Sequence, residues 1–292
     1  MQTKLFGCAL LLAACTTSPT ETPNDKALPS ATNTPHLKSL ATNVVCGEDI
    51  AFYGATTPDL RYAFNYDTQD RLKHANGVWV ESGTVDTTDY TWAGWNVTNI
   101  LSVSGWDGSE AEITASYGAD DSLLSYTYSY SSEDYSDAWT YAFSNFIGAG
   151  QPTREIITNG TDSFVYDLVY DAYDRLIAAI PESGATTTWT YDEVARQITQ
   201  DTGNGAYVGV LSFDAQYRAT SEVFTGSDPS VIDYEETYAW NGDDLDTITY
   251  RMGSEAAPQT LELIQVSTMR YDCAAARTQG RKPTRFARIT QH

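Results

Sequence analysis

The chain has 292 residues, and its 39 acidic against 17 basic side chains give it a formal charge of −22 at pH 7. Apolar residues make up 41% of the sequence, which suffices for a globular core and excludes a wholly disordered chain. So strong a negative charge repels phosphate backbones, which excludes nucleic acid as a general partner. The 20 Tyr and 7 Trp, against 9 Phe and 3 Met, favour β-structure over helix.

The first segment is an export signal. Lys4 precedes an apolar run over 5–14, which has about half the length that a bilayer-spanning helix needs. The run ends in Leu-Ala-Ala-Cys at Cys15, which resembles the lipobox of bacterial lipoproteins. The resemblance implies that the signal peptide 1–14 is removed, that Cys15 is lipidated and, with Thr16 next to it, that the anchor lies in the outer membrane, facing the periplasm or the surface. The alternative is an ordinary signal peptide with an incidental cysteine.

A tether and a basic tail flank the folded domain. Residues 15–44 are rich in Thr and Pro and lack Phe, Tyr and Trp, so they cannot bury enough apolar surface to fold alone. The folded domain is predicted over 45–273. Residues 274–292 hold five basic side chains and no acidic one, and we interpret them as a solvated tail. The alternative is a tail that lies on the acidic domain or on phosphates of the cell envelope.

Two cysteines, Cys46 and Cys273, stand at the two ends of the Tyr-rich region. In an oxidising compartment, cysteines so placed predict a disulfide that ties the ends of the domain together. Chain-entropy arithmetic for so long a loop gives a stabilisation of about 5 kcal/mol at most. The alternatives are two free thiols or metal ligation, and the latter has little support because no histidine lies near either cysteine in the sequence.

A repeat of about 25 residues recurs through the domain, and each copy has an aromatic anchor. In four copies, Asp follows the aromatic at once and Arg stands five positions after the aromatic. These sets are Tyr66/Asp67/Arg71, Tyr170/Asp171/Arg175, Tyr191/Asp192/Arg196 and Phe213/Asp214/Arg218. The other five anchors are Trp92, Tyr117, Phe143, Trp240 and Tyr271. Nine anchors at near-regular spacing indicate one structural unit repeated along the chain.

Each repeat is predicted to be a β-hairpin. Aromatics recur at every second position before an anchor, as at Tyr62, Phe64 and Tyr66, which places them on one face of a strand. The Asp after the anchor starts a turn, and we interpret its pairing with the Arg across the turn as structural. A hairpin cannot bury its ring-bearing face alone. We therefore predict an all-β fold, an antiparallel meander of about nine hairpins in one continuous twisted sheet. Closure into a barrel is left open, and the terminal cysteines favour it.

The pattern Tyr-Asp-x-x-x-Arg-Leu, complete at Tyr66 and Tyr170, resembles the YD (Rhs-type) repeat of bacterial cell-surface proteins. The chain also resembles YD-containing bacterial lipoproteins whose repeats form a long, porin-like meander. The resemblance covers roughly residues 47–273, and it implies surface display and carbohydrate contact but no activity. The family pattern has Gly just before the Arg, where four other side chains stand here: Asp70, Asp174, Ala195 and Tyr217. The type of turn is therefore left open.

Enzymatic motifs are not found in the sequence. There are three histidines, no nucleophile elbow, no zinc-protease motif and no phosphate-binding loop. We therefore predict a non-enzymatic protein without metal or cofactor. The acidic clusters 120–121 and 243–246 lack EF-hand spacing, so we interpret them as solvated turns, with weak Ca²⁺ sites as the alternative. A carboxylate-pair glycosidase is the least favoured alternative, because so many carboxylates place some pair at the required spacing by chance.

The densest aromatic patch is the candidate binding site. Alternation puts Tyr126, Tyr128 and Tyr130 on one face of a strand, and Trp139 and Tyr141 on the returning strand. Such a stripe is most often core, but an open one offers flat rings and hydroxyl rims to sugar rings. We predict a lipid-anchored, non-enzymatic envelope protein that binds glycan or another surface polymer through this face. The alternative is a structural or adhesion protein that contacts other proteins.

Overall fold

The computed structural model describes residues 45–271, apart from 70, 148–149, 204, 206, 227, 229–230 and 255–256, together with the short segments 11–12 and 287–288. Cys15, Cys273 and the remainder of the signal peptide, tether and tail lie outside the described residues, so the predictions about them stay predictions. Among the residues that the structure describes, no helix is both long and apolar enough to cross a membrane. Leu11–Leu12 (β1) pairs antiparallel with Ala287–Arg288 (β20).

Eighteen further strands form one antiparallel sheet. Their bounds are Gly47–Phe52 (β2), Leu60–Tyr66 (β3), Leu72–Trp79 (β4), Val85–Ala93 (β5), Asn96–Val103 (β6), Glu110–Tyr117 (β7), Leu123–Ser131 (β8), Ser136–Ile147 (β9), Gln151–Asn159 (β10), Asp162–Tyr170 (β11), Leu176–Pro181 (β12), Thr187–Asp192 (β13), Gln197–Asp201 (β14), Val208–Phe213 (β15), Ala219–Thr225 (β16), Ile232–Asn241 (β17), Asp244–Ser254 (β18) and Ala257–Arg270 (β19). Each strand pairs with its neighbours in sequence, and β19 pairs with β2. The predicted all-β meander is confirmed, and it closes into a barrel.

The two faces of the barrel wall differ in chemistry. On β8, Ser125 and Thr127 lie on the outer face, where they are bonded to Ser116 and Thr140 on the neighbouring strands. Buried side chains lie on the inner face, in three clusters along the wall that contain Ile100, Leu168 and Leu211. A closed sheet of about this many strands encloses more space than its side chains fill. The inward aromatics of β3, β8 and β9 are accordingly half-buried rather than buried.

One of the nine hairpins is split between the two ends of the chain. Eight hairpins are continuous, from β3–β4 to β17–β18, whereas the ninth is made of β19 and β2. Arg270 lies opposite Gly47 in this pair, and the Cys46 N–H donates to the Arg270 carbonyl at 2.7 Å. Cys46 is 4% exposed. Its predicted partner Cys273 follows Arg270 by three residues, so a bond between the two would stand where the other hairpins have a turn.

Candidate functional site

The Asp–Arg sets build matching turns at one end of the barrel, the anchor rim, where the turns after β3, β11 and β15 lie. In three sets the Asp carboxylate accepts two backbone N–H groups of the turn at 2.8–3.0 Å. It also accepts the Nε–H of the Arg at 2.6–2.8 Å. Burial raises the pKa of these carboxyls, but the hydrogen bonds and the Arg charge outweigh it and hold the pKa below its usual range. The sets are Asp67/Arg71, Asp171/Arg175 and Asp214/Arg218.

The same Arg side chains also reach the next repeat. Each guanidinium lies over the next anchor ring, and each donates to an oxygen of the next turn. The ring contacts are Arg71 over Trp92 at 5.6 Å, Arg175 over Tyr191 at 4.2 Å and Arg218 over Trp240 at 5.3 Å. The accepting oxygens belong to Gly94, Glu193 and Gly242. These sets therefore hold neighbouring hairpins together, in agreement with a structural role.

Polar hydrogens of the anchors add a second link between repeats. Six anchors donate a hydroxyl or indole hydrogen to a backbone carbonyl of the preceding repeat at 2.5–2.9 Å. The pairs are Tyr66 to Val45, Trp92 to Leu72, Tyr170 to Pro152, Tyr191 to Leu176, Trp240 to Ala219 and Tyr271 to Leu245. Val45 precedes β2 and Tyr271 follows β19, so the split hairpin is linked to its neighbours as the continuous ones are.

The fourth set departs from the others, and the predicted pairing of Asp192 with Arg196 is wrong. Asp192 accepts the backbone N–H groups of Val194 and Ala195 instead. Its ladder partner is Gln197, so the turn has four residues rather than five. Arg196 itself takes the left-handed conformation, with φ 55°, and its side chain is exposed. The shorter turn thus directs the Arg away from the carboxylate.

The position just before the Arg, where the family pattern has Gly, takes the left-handed conformation in two of these turns. Asp174 and Tyr217, which stand just before Arg175 and Arg218, have φ values of 60° and 58°. Both occupy the conformation that a glycine adopts without strain. The chain therefore keeps the turn of the repeat while placing side chains in its strained position.

The strand register shows that the fourth anchor is Phe146 and that the predicted anchor Phe143 is wrong. Phe146 lies opposite Pro152, six residues on, as Tyr66 lies opposite Leu72. Gly150, with φ 86°, takes the left-handed position of this turn. The interval between repeats is therefore less regular here than the spacing of aromatics predicts.

The predicted binding patch lies on the inner wall. Tyr126 stands opposite Tyr141 and Tyr128 opposite Trp139, while Tyr130 lies one pair further along β8. The rings of Tyr126 and Tyr141 stack with centroids 4.4 Å apart and planes 9° from parallel. All five side chains are half-buried. The patch is thus neither a closed core nor part of the outer surface, and it faces the interior of the barrel.

The patch continues beyond the residues that the sequence singled out. Trp139 stacks on Phe164 of β11 at 6.5 Å, and Phe164 is 46% exposed. The Trp139 indole N–H donates to Asp137 at 2.9 Å, and Asp137 also accepts a bond from Asn159 at 2.9 Å. A polar group therefore fixes the tryptophan at the barrel end opposite the anchor rim.

A carboxylate lies within this aromatic wall. Glu155 on β10 stands opposite Phe143 on β9 and opposite Tyr166 on β11. Burial raises the pKa of Glu155 to about 7. Burial and then the charge of Glu155 raise the pKa of Tyr141, and the same two causes raise that of Tyr170 to about 12. Glu155 could not be identified from the sequence, because a single Glu on a strand forms no motif and only the register shows which rings surround it.

A second aromatic row crosses β15 to β18 on the inner wall. Its rings follow one another at centroid distances of 6.0, 5.3 and 5.8 Å, in the order Tyr207, Phe224, Tyr234 and Tyr250. Glu222 stands directly opposite Glu236 beside this row. The Tyr238 hydroxyl donates to Glu236 at 2.6 Å.

The acidic cluster 120–121 is engaged in hydrogen bonds of the turns. Asp120 accepts the N–H and hydroxyl of Ser122, and Asp121 accepts an amide hydrogen of Asn96 at 2.8 Å. In the part of the chain that the structure describes, no three His, Cys, Asp or Glu side chains converge to hold a metal ion. His74 lies on the outer face, with Nδ1 2.6 Å from Asp89.

Comparison with known proteins gives distant similarities of fold. No family model matches the chain, and no curated protein matches it significantly. A porin-like protein from Bacteroides uniformis is 10% identical, with 78% of this chain and 98% of that chain covered, at a TM-score of 0.38. The TcdB2–TccC3–Cdc42 structure is 14% identical over 73% of this chain and 15% of that chain, at a TM-score of 0.25. The TcdB2–TccC3–TEV structure is 10% identical, with 66% of this chain and 12% of that chain covered, at a TM-score of 0.29.

Proposed function

We propose that this protein is a lipid-anchored, non-enzymatic component of the bacterial cell envelope, and that the inner wall of its barrel binds glycan. The observation that carries the proposal is the half-buried aromatic patch of β8 and β9, continued by Phe164 on β11. Half-buried Tyr and Trp rings offer flat apolar faces beside hydroxyl and N–H groups, which is the surface that a pyranose ring and its hydroxyls require.

The charge of the inner wall supports a neutral or cationic ligand over an anionic one. Among the residues that the structure describes, the glutamates on the inner face include Glu48, Glu155, Glu222 and Glu236. Carboxylates accept hydrogen bonds from sugar hydroxyls and repel phosphate, sulfate or uronate groups. An uncharged envelope polysaccharide therefore suits this wall better than an acidic polymer.

The anchoring part of the proposal rests on the sequence. The Leu-Ala-Ala-Cys ending at Cys15 and the Thr/Pro-rich segment 15–44 support a lipidated cysteine joined to the barrel by a tether. The recurring Asp–Arg turn, present at Asp67, Asp171 and Asp214, supports placing the chain with YD-repeat lipoproteins of the outer membrane.

Retention on insoluble chitin, an uncharged polysaccharide, tests the binding proposal. Trp139→Ala combined with Phe164→Ala removes the stack at one end of the patch. We expect retention to weaken by about tenfold or more. Trp95→Ala is the matched control, because Trp95 is 42% exposed and lies in the turn between β5 and β6 at the other end of the barrel. Unchanged retention of the folded double variant, or an equal loss in the control, would contradict the proposal.

A second candidate function is favoured by Glu222 and Glu236. Directly opposed residues on neighbouring strands have Cβ atoms about 5 Å apart, which suits the short carboxylate separation of retaining glycosidases. Incubation of the purified protein with the bound glycan, followed by product analysis, decides between the two functions. Products that disappear in both Glu222→Gln and Glu236→Gln would establish the hydrolase and overturn the non-enzymatic proposal.

A further inference from the structure

Glu155 is surrounded by aromatic rings on the inner wall. Its strand neighbours put Phe143 on one side and Tyr166 on the other. Tyr141 lies two positions before Phe143 on β9, so its ring faces the same way. The Tyr126 ring stacks on the Tyr141 ring with centroids 4.4 Å apart. Burial is the largest cause that raises the pKa of the Tyr126, Tyr141 and Tyr170 hydroxyls, and the charge of Glu155 raises it further, which places all three within electrostatic reach of the carboxylate.

The basic side chain nearest in sequence to Glu155 serves another purpose. Arg154 lies on the opposite, outer face of β10, because successive side chains of a strand alternate. There it pairs with Asp167 at 3.2 Å and with Glu182 at 3.1 Å. Within the described residues, no ion pair of Glu155 with a basic side chain is present. The wall around Glu155 is thus acidic and aromatic.

A half-buried carboxylate ringed by tyrosines has a defined preference among ligand groups. An ammonium group forms a charge-assisted hydrogen bond with the carboxylate and is attracted to the faces of aromatic rings. A hydroxyl gains only the weaker neutral hydrogen bond, and an N-acetyl group presents no charge. The site therefore distinguishes an amine from its acetylated form.

We propose that Glu155, with the rings of Tyr126, Tyr141 and Tyr166, binds the protonated amine of an amino sugar, so that the inner wall selects glycans that carry free amino groups. This inference rests on the proposed glycan binding and names the class of glycan. The aromatic patch binds the sugar rings, and Glu155 binds the amine.

Two oligosaccharides of one length test the inference. The glucosamine tetramer carries free amines, and the N-acetylglucosamine tetramer carries none. Titration calorimetry with the purified mature protein is expected to show the glucosamine tetramer bound at least about tenfold more tightly. Glu155→Gln, which preserves the size of the side chain and one acceptor oxygen, is expected to remove this difference by weakening binding of the glucosamine tetramer alone.

The pH dependence separates the carboxylate from the ligand. Lowering the pH from 7 to 5.5 protonates Glu155, whose pKa is about 7, while the ligand amine can only gain positive charge. The other titratable groups that face Glu155 are the hydroxyls of Tyr126 on β8, Tyr141 on β9, and Tyr166 and Tyr170 on β11. Binding of the glucosamine tetramer to the wild type should therefore weaken by roughly threefold or more over this interval, even though the ligand gains charge, and binding to Glu155→Gln should not weaken.

Two further variants complete the experiment. Glu110→Gln removes the same charge from the outer face of β7 and should leave both affinities unchanged, whereas Glu155→Asp keeps the charge and should retain part of the preference. Equal binding of the two tetramers by the wild type, or full preference in Glu155→Gln, would overturn the inference and leave glycan binding intact. Failure of both tetramers and of chitin to bind would overturn the proposed function as well.

Discussion

The guanidinium of Arg175 lies 4.2 Å from the centre of the Tyr191 ring, and the Tyr191 hydroxyl donates to the carbonyl of Leu176, the residue after that arginine. One repeat thus holds the anchor of the next through a side chain and through the backbone at the same point. Arg175 is also paired with Asp171 at 2.7 Å and is 8% exposed. Removing one partner from a pair this buried and this connected is costly, because it leaves the other charge uncompensated, whereas loss of a surface ion pair costs little.

Arg175→Ala should therefore destabilise the barrel strongly. It leaves Asp171 without its cation, and it uncovers the Tyr191 ring. We expect the free energy of unfolding in urea to fall by about 2–4 kcal/mol. Arg196→Ala is the control, because Arg196 holds the same place in the sequence repeat but is exposed, and it should cost less than about 0.5 kcal/mol. Equal losses in the two variants would show that the turn contacts contribute little.

The contrast between these two arginines shows how far the repeat could be predicted. Aromatic alternation and anchor spacing sufficed for the hairpins, because both follow from local sequence. Whether a turn has four or five residues depends on the register of the two strands. Asp192 itself pairs with Gln197, whereas in the other three sets the last paired residue is the aromatic before the Asp. Register is a property of two strands. The pairing of Arg196 and the anchor role of Phe143 therefore could not be predicted correctly from the sequence of one strand.

The inner wall was harder to predict than the turns. The rings Tyr126, Tyr128 and Tyr141 could be identified because they recur at period two. Their half-burial follows from barrel closure, which brings β19 against β2 and depends on contacts between the two ends of the domain. Glu155 belongs to the site only through its partners on β9 and β11, and no motif in its own strand marks it.

The strained turn position predicts a stabilising substitution. Asp174 is exposed and has φ 60°, a conformation that costs a side-chain-bearing residue about 1 kcal/mol. Asp174→Gly should raise the melting temperature, by a gain of roughly 0.5 kcal/mol after the larger entropy of the unfolded glycine is subtracted. Ala172→Gly in the same turn has no such strain to relieve and should lower the melting temperature. A loss of stability in Asp174→Gly would show that its side chain contributes more than the strain costs.

The split hairpin predicts a redox-dependent stability. A Cys46–Cys273 bond would stand where continuous hairpins have a covalent turn, and it would close almost the whole domain into a loop. Reduction should lower the free energy of unfolding by up to about 5 kcal/mol, less any strain in the bond. Urea unfolding with and without reductant measures this, with Cys46→Ser as the variant that should show no response. Two free thiols in the oxidised native protein, found by thiol titration, would contradict the pairing.

Glu155 predicts an unusual rise of stability on mild acidification. Its folded pKa of about 7 lies above the ordinary value of 4.5, so the folded barrel binds this proton more tightly than the unfolded chain does. Stability should therefore increase as the pH falls from about 7 towards 4.5, by about 2 kcal/mol from this group. Asp67, Asp171 and Asp214 have lowered pKa values in the folded barrel. Their protonation therefore lowers the free energy of unfolding only when the pH falls below their unfolded pKa, near pH 4. Glu155→Gln should flatten the profile between pH 4.5 and 7 and stabilise the protein at pH 8, whereas Glu110→Gln should keep the wild-type slope. An unchanged slope in Glu155→Gln would place the titrating group elsewhere on the wall.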